Sequence, residues 1–111
     1  CLDRNIPIFP GVNSPTQVEM GLERDLKVLK FFPAEASGGL SMLKAMAAPY
    51  GDVRFMPTGG ININNLKDYL AFDRIIACGG TWLATASLIN DGRFDEITRL
   101  TQQVVETTRQ I

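Results

Sequence analysis

Lys30 stands at the centre of the most apolar strand-like stretch of the chain, which reads "LKVLKFFPAEASGG" over residues 26–39 and has a second lysine, Lys27, near its start. Burying an ammonium group without a partner is costly, and the usual relief is a lowered pKa. The neutral amine that results attacks carbonyl carbons and forms Schiff bases. The alternative is a structural lysine whose stem packs on the sheet while its head reaches water. The central position of Lys30 in the run favours the nucleophile.

Two glycine pairs follow later apolar runs, as Thr58-Gly59-Gly60 and Gly79-Gly80-Thr81. Glycine lets the backbone come close to a ligand, and free N–H groups at a helix start bind anions. The two threonines add hydroxyl donors. Tight turns without a ligand are the structural alternative. Two successive pairs, each placed directly after a predicted strand, favour a phosphate site.

Four further side chains receive assignments from the sequence. Phe32 follows Lys30 by two residues, so both point to the same side of the strand. Glu35 is the local candidate for a general acid or base, although a helix cap or a solvated carboxylate is an equal interpretation. Trp82 and Phe72 are assigned to the core.

Strand-like and helix-like stretches alternate along the chain, which predicts an α/β fold. The predicted strands end in a similar way at Phe9-Pro10-Gly11, Phe32-Pro33-Ala34 and Met56-Pro57-Thr58. The predicted strands cover residues 6–12, 26–34, 53–58 and 74–80. The predicted helices run from Pro15 to about Asp25, from Gly39 to Ala48, from near Asn62, and over 81–89 and 94–109.

Two architectures fit four such units: a small doubly wound sheet, or half of a (β/α)₈ barrel. In both, ligands bind at the carboxyl ends of the strands, where the lysine strand ends and both glycine pairs lie. Four parallel strands leave two unpaired edges. Because the chain also starts at Cys1 and not at Met, we expect a piece of a longer chain.

Composition narrows the chemistry. The chain has 111 residues, a net charge of −1 and interspersed signs, which gives no reason to expect nucleic acid or a membrane surface as partner. No apolar run approaches the length of a membrane span. Without histidine, the chain supplies no Ser-His or Cys-His pair, and with two cysteines it predicts no zinc cluster. The two distant cysteines favour reduced thiols in a cytoplasmic protein.

Four motifs taken together resemble one enzyme family, the 2-keto-3-deoxy-6-phosphogluconate (KDPG) and 4-hydroxy-2-oxoglutarate (KHG) aldolases. They read "IPIFPGV", "LKFFPAE", "VRFMPTGGI" and "GGTWL", with "NLKDYLA" and "GRFDEIT" also in order. The resemblance implies a homotrimeric (β/α)₈ TIM barrel about twice as long, so that residues 1–111 form a partial domain, its C-terminal half with strands five to eight. It also implies a cytoplasmic class I aldolase of carbohydrate metabolism, in the Entner–Doudoroff pathway, with no cofactor and no metal. Its partners are then a 2-keto acid substrate and the remaining half of the barrel.

The resemblance also implies roles for individual residues. Lys30 matches the lysine that forms the Schiff base with the 2-keto carbon, and Phe32 matches an aromatic residue beside the pyruvyl group. The phosphate-binding loops are matched by Thr58, Gly59, Gly60, Gly79, Gly80 and Thr81. Thr81 stands where well-known members have serine, which keeps the hydroxyl and adds a methyl group near the phosphate.

One departure from the family limits the expected activity. The family's general acid/base is a glutamate on an early strand, near an arginine and a threonine that hold the substrate carboxylate, and none of these positions is in the chain. Glu35 is not that glutamate. We therefore expect little or no aldolase activity from residues 1–111 alone. The alternatives are a 2-keto-3-deoxy-6-phosphogalactonate aldolase, a non-catalytic phosphate-binding half barrel, and a half barrel that serves only assembly.

Overall fold

A parallel sheet carries Lys30 on its middle strand. In the computed structural model, which describes residues 1–111, three strands lie side by side in chain order. They are β1 (Gly11–Val12), β2 (Val28–Phe31) and β3 (Arg54–Pro57). Within β2, Lys30 pairs with Gly11 on one side and Met56 on the other. The predicted α/β class is confirmed.

The first strand is much shorter than the predicted 6–12, because it forms ladder contacts only at Gly11–Val12. Pro7 and Pro10 have no N–H group, so the stretch before Gly11 has fewer donors for a ladder. The carbonyl of Pro10 still accepts the N–H of Lys30 at 2.9 Å. The stretch before Gly11 is therefore not a strand, but its Pro10 carbonyl still holds the backbone of Lys30 in place.

The predicted strand at 74–80 is not a regular strand. It contacts β3 through two isolated parallel bridges, Phe55 with Ile75 and Thr58 with Gly79. These bridges are three residues apart on β3 but four residues apart on the last segment. One extra residue therefore interrupts the ladder, as in a β-bulge, and periodicity alone does not reveal it.

Five helices follow or flank the strands, and their start and end residues refine the predicted ranges. The helices are α1 (Pro15–Leu22), α2 (Gly39–Ala47), α3 (Leu66–Leu70), α4 (Ala86–Asn90) and α5 (Phe94–Arg109). The α5 prediction is confirmed, and α1 begins as predicted, with the Ser14 side chain accepting the N–H of Gln17. It ends before the predicted Asp25, a residue in the left-handed region with φ of 58°.

Two predicted helices start later than expected, since loops occupy their first residues. The α3 helix begins only at Leu66, and Asn62 forms a turn before it: its Oδ1 accepts the N–H of Asn64 at 2.9 Å, and its N–H donates to Oδ1 of Asn65 at 2.8 Å. The helix predicted at 81–89 begins at Ala86, where the Thr85 side chain accepts the N–H of Leu88.

Helices cover only one face of the sheet. Leu29 and Phe31 are fully buried, and they pack in one cluster with side chains of α1, α2 and α3. The opposite face carries Lys30, which is half-buried, and Phe32 follows it with 49% of its surface exposed. Strands in uninterrupted chain order, joined by right-handed crossovers, place successive helices on the same face. The sheet therefore lacks the order reversal of a doubly wound fold.

The structure of residues 1–111 has neither a membrane-spanning helix nor a metal-binding cluster. No helix combines the length and the apolarity that crossing a membrane requires. No group of three or more histidine, cysteine, aspartate or glutamate side chains is arranged to hold a metal ion.

Candidate active site

The carboxyl ends of β2, β3 and the last segment surround one cavity of about 470 Å³. Backbone hydrogen bonds hold these ends together: the N–H of Thr58 donates to the carbonyl of Phe31 at 2.9 Å, and that of Gly79 to Pro57 at 3.0 Å. All eight predicted site residues line this cavity, namely Lys30, Phe32, Thr58, Gly59, Gly60, Gly79, Gly80 and Thr81. Residues far apart in sequence therefore meet, as the rule for parallel sheets predicts.

Lys30 lies at this cavity with its amine 5.0 Å from the ring centroid of Phe32. Neither of the two salt bridges of the chain involves it. Its side chain is half-buried because the face on which it lies is uncovered, so the enclosed setting considered from the sequence is not formed by residues 1–111. The amine is free of a carboxylate partner and is open to a ligand.

The glycine loops supply unpaired donors. The N–H groups of Gly59, Gly60, Gly80 and Thr81 make no hydrogen bond to a backbone carbonyl. The hydroxyl oxygen of Thr58 is buried and has no hydrogen-bond partner. The expectation that these loops run straight into helix N-termini is wrong, since α3 and α4 begin several residues later and have five residues each. Any anion bound here is held by loop amides and hydroxyls.

Three further residues line the cavity. Trp82 packs against the core, as predicted, and it also lines the cavity, where a Cβ atom built on Gly80 would lie 1.8 Å from Cζ3 of its ring. Asn62 and Ile61 also line the cavity. The position of Trp82 two residues after Gly80 was the available signal, because a ring can lie over a backbone that has no side chain. Phe72 packs against the core, as predicted.

Glu35 does not line the cavity. Its carboxylate Oε1 accepts a hydrogen bond from Oη of Tyr69, and its own N–H donates to the carbonyl of Gly59 at 3.0 Å. Burial, and then the hydrogen bond to Glu35, raises the pKa of the Tyr69 hydroxyl far above its usual value. Glu35 is thus not the helix cap considered from the sequence, and although the residue is exposed, its carboxylate is bonded to Tyr69.

Substituting Gly60 tests whether the first glycine loop needs its shape. Gly60 has φ of 81°, and an added Cβ would lie 2.6 Å from Cβ and Cγ of Glu35. We expect Gly60→Ala to lower the free energy of unfolding by about 2–4 kcal/mol, from backbone strain plus overpacking. Urea unfolding measures this loss.

Gly92→Ala is the matched control for that substitution. Gly92 also has a positive φ, 66°, but an added Cβ would meet nothing within 4 Å. It should cost only the strain, about 1–2 kcal/mol. Equal losses in the two variants would contradict the close contact between Gly60 and Glu35.

Cys78 lines a second cavity, of about 460 Å³ and mainly apolar, beside the last segment. Burial raises the pKa of its thiol to about 11. Because the thiolate is the reactive form, we expect iodoacetamide at pH 8 to modify the exposed Cys1 first. The rate at Cys78 should rise about tenfold for each pH unit up to about pH 11.

The raised pKa of Cys78 also makes the free energy of unfolding depend on pH. The folded chain favours the protonated thiol, so this contribution is complete below the ordinary pKa of 9.0 and is lost as the pH rises towards about 11. The modification prediction is tested on a Cys1→Ser variant, in which mass spectrometry measures the iodoacetamide adduct at Cys78 alone. Rapid modification of Cys78 at pH 8 would contradict the burial.

An unpaired lysine at the carboxyl edge of a parallel sheet, beside two loops with free amides, is an arrangement that can bind an anion and form an imine with a carbonyl compound. Comparison of the sequence with models of known protein families identifies the family. The model of the KDPG and KHG aldolases matches residues 1–100, and the chain belongs to that family.

Individual relatives agree with this assignment. The 2-dehydro-3-deoxy-phosphogluconate aldolase of Haemophilus influenzae is 50% identical over 106 residues, which are 96% of this chain and 50% of that protein. The KDPG aldolase of Legionella pneumophila, solved with pyruvate captured as a covalent carbinolamine, is 40% identical with a TM-score of 0.83, over 86% of this chain and 47% of that one. The Zymomonas mobilis 2-keto-3-deoxy-6-phosphogluconate aldolase, solved with 3-phosphoglycerate, is 41% identical with a TM-score of 0.75. The match covers 77% of this chain and 41% of that one. The chain spans about half the length of the curated relatives it matches.

Proposed function

We propose that this chain supplies the nucleophile and the phosphate site of a class I aldolase that cleaves 2-keto-3-deoxy-6-phosphogluconate to pyruvate and glyceraldehyde 3-phosphate, or 4-hydroxy-2-oxoglutarate to pyruvate and glyoxylate. The observation that carries the proposal is the meeting of Lys30 with both glycine loops in one cavity. The pyruvate carbinolamine in the Legionella relative supports the same chemistry for this family.

Lys30 acts first in the proposed reaction. Its amine, in the deprotonated form, attacks the 2-keto carbon, and the carbinolamine takes up a proton and loses water to give a protonated imine. The C4 hydroxyl then loses its proton to a base, the C3–C4 bond breaks as its electron pair forms the enamine, and the aldehyde leaves. The enamine next takes up a proton at C3 and returns to the imine. Phe32, whose ring lies 5.0 Å from the amine, packs beside the pyruvyl carbons. Water finally releases pyruvate and regenerates the amine.

The glycine loops hold the other end of the substrate. The free N–H groups of Gly59, Gly60, Gly80 and Thr81 are donors for phosphate oxygens. The hydroxyl of Thr58 has no partner within the chain and can donate to the same group. The 3-phosphoglycerate in the Zymomonas relative supports a phosphorylated ligand in this family.

The half barrel forms part of the same proposal, with residues 1–111 as strands five to eight. It is supported by the chain order of the strands, by helices on one face only and by the coverage of about half of each relative. The uncovered face around Lys30 is then the barrel interior, which the remaining half closes. The homotrimer and the cytoplasmic location implied by the resemblance stay predictions.

Reductive trapping tests the proposal. The chain is incubated with pyruvate and borohydride, and the adduct is located by peptide mass spectrometry. The proposal expects it at Lys30. Binding of a phosphate ester with no adduct would favour a non-catalytic phosphate-binding half barrel, and self-association without either would favour assembly only. Adducts formed with the gluconate-type and galactonate-type substrates distinguish the two phosphorylated-sugar aldolases.

A further inference from the structure

The geometry points to Glu35 and Tyr69 as a positioning pair that holds the Gly59–Gly60 turn in the shape that binds phosphate. This inference rests on the proposed phosphate site and assigns it two residues that do not touch the substrate. Neither residue lines the cavity. Each acts through the turn, by contacts that involve the backbone, the side-chain stem and the carboxylate of Glu35.

The backbone contact ties the end of β2 to the turn. The N–H of Glu35 donates to the carbonyl of Gly59 at 3.0 Å, and the preceding Ala34 donates to Thr58 at 2.8 Å. Two consecutive carbonyls are therefore occupied from the β2 side. A peptide unit has its carbonyl and the next N–H on opposite sides, so fixing the carbonyl of Gly59 also fixes the direction of the N–H of Gly60.

The stem of Glu35 occupies the space that a side chain on Gly60 would need. A Cβ atom added to Gly60 would lie 2.6 Å from both Cβ and Cγ of Glu35. Gly60 itself has φ of 81°, a conformation that few other residues adopt. The turn is therefore packed against Glu35 on the side away from the cavity.

The carboxylate end is anchored by the core. Oη of Tyr69 donates to Oε1 of Glu35 at 2.5 Å, and Tyr69 is only 2% exposed. Tyr69 belongs to α3, the helix that follows the turn, so the pair joins the segment after β2 to the helix at the end of the glycine loop. Within the loop, Nδ2 of Asn65 donates to the carbonyl of Gly60 at 3.0 Å.

Anchoring has an electrostatic consequence as well. The Glu35 side chain packs beside Gly60, so its carboxylate would repel a bound phosphate if it turned towards the cavity. The bond to Tyr69 holds the Glu35 charge on the far side of Gly60. Loss of Tyr69 Oη should therefore weaken phosphate binding through both a looser turn and a mobile negative charge, while leaving Lys30 and the carbonyl chemistry unchanged.

Four variants of the 111-residue chain test the pair: Tyr69→Phe, Glu35→Ala, Glu35→Gln and Tyr50→Phe. Inorganic phosphate is titrated while amide resonances of the glycine loops are followed, and the yield of the pyruvate adduct is measured in parallel. Tyr69→Phe and Glu35→Ala are each expected to weaken phosphate binding about tenfold. The pyruvate adduct should stay within about twofold of the unsubstituted chain in all four, since pyruvate carries no phosphate.

The other two variants are the controls. Glu35→Gln keeps an oxygen that accepts from Tyr69, so phosphate affinity should be retained. Tyr50→Phe removes the other tyrosine hydroxyl, which bonds Glu19 at the surface at 3.0 Å, and should change nothing. Tyr69→Phe keeps the buried ring, and thermal unfolding checks that it folds.

The outcomes separate this inference from the proposed function. Phosphate affinity within about twofold of the unsubstituted chain in both Tyr69→Phe and Glu35→Ala would overturn the positioning role while leaving the aldolase proposal in place. An unsubstituted chain that neither binds phosphate nor forms the adduct would overturn the proposed function, and the inference with it. Parallel loss of phosphate binding and adduct in a folded variant would show general disruption of the cavity, which also overturns the positioning role.

Discussion

Lys30→Met is expected to abolish the borohydride-trapped pyruvate adduct without unfolding the chain. Methionine has a similar apolar stem, so the contact with Phe32 is kept while the only amine that lines the cavity is lost. Lys30 makes no salt bridge and is half-buried, so the free energy of unfolding should change by about 0.5 kcal/mol or less. Intact-mass measurement after reduction gives the adduct, and urea unfolding gives the stability.

Lys27→Met is the matched control, one residue before β2. Lys27 forms an exposed salt bridge with Asp52 at 2.7 Å, a kind of pair that contributes about 0–1 kcal/mol. Its variant should form the adduct as readily as the unsubstituted chain. An adduct that persists in Lys30→Met, or is lost in Lys27→Met, would remove Lys30 from the role of nucleophile.

The site was predictable where local pattern and sheet geometry determine position. Alternation along β2 placed Lys30 on the face opposite Leu29 and Phe31, and the structure has those two fully buried. The rule that ligands bind at the carboxyl ends of parallel strands brought Gly59 and Gly80 to the same edge, and both line the cavity with Lys30. Neither step needed a contact between distant side chains.

The parts that the sequence did not predict depend on such contacts. The bond between Glu35 and Tyr69 joins positions 34 residues apart, and no periodicity encodes it. Trp82 packs against the core, as its residue type predicts, but its ring also lies over Gly80, and only the folded chain shows that second contact. The last predicted strand fails because one extra residue shifts its register against β3, a property of the pair and not of either segment.

Residues 1–111 alone are expected to form the pyruvate adduct at Lys30 but to release little or no pyruvate from 2-keto-3-deoxy-6-phosphogluconate. Cleavage of the C3–C4 bond requires a base for the proton of the C4 hydroxyl, and the enamine then requires an acid. Lys30 is the only lysine, arginine or carboxylate among the eleven residues that line the cavity. Because a positioned acid–base group contributes about 10²–10⁴-fold to the rate, turnover by residues 1–111 should be lower than that of a full-length relative by about that factor.

A coupled assay for pyruvate tests this expectation, with the full-length Haemophilus influenzae relative measured beside the chain. Glu35 is the first carboxylate that follows Lys30 in the sequence, and its bond to Tyr69 keeps it from serving as the base. Glu35→Gln should therefore leave the residual rate unchanged, whereas Lys30→Met should remove it. Rapid pyruvate release by residues 1–111, lost in Glu35→Gln, would mean that this carboxylate leaves Tyr69 and supplies the proton transfer itself.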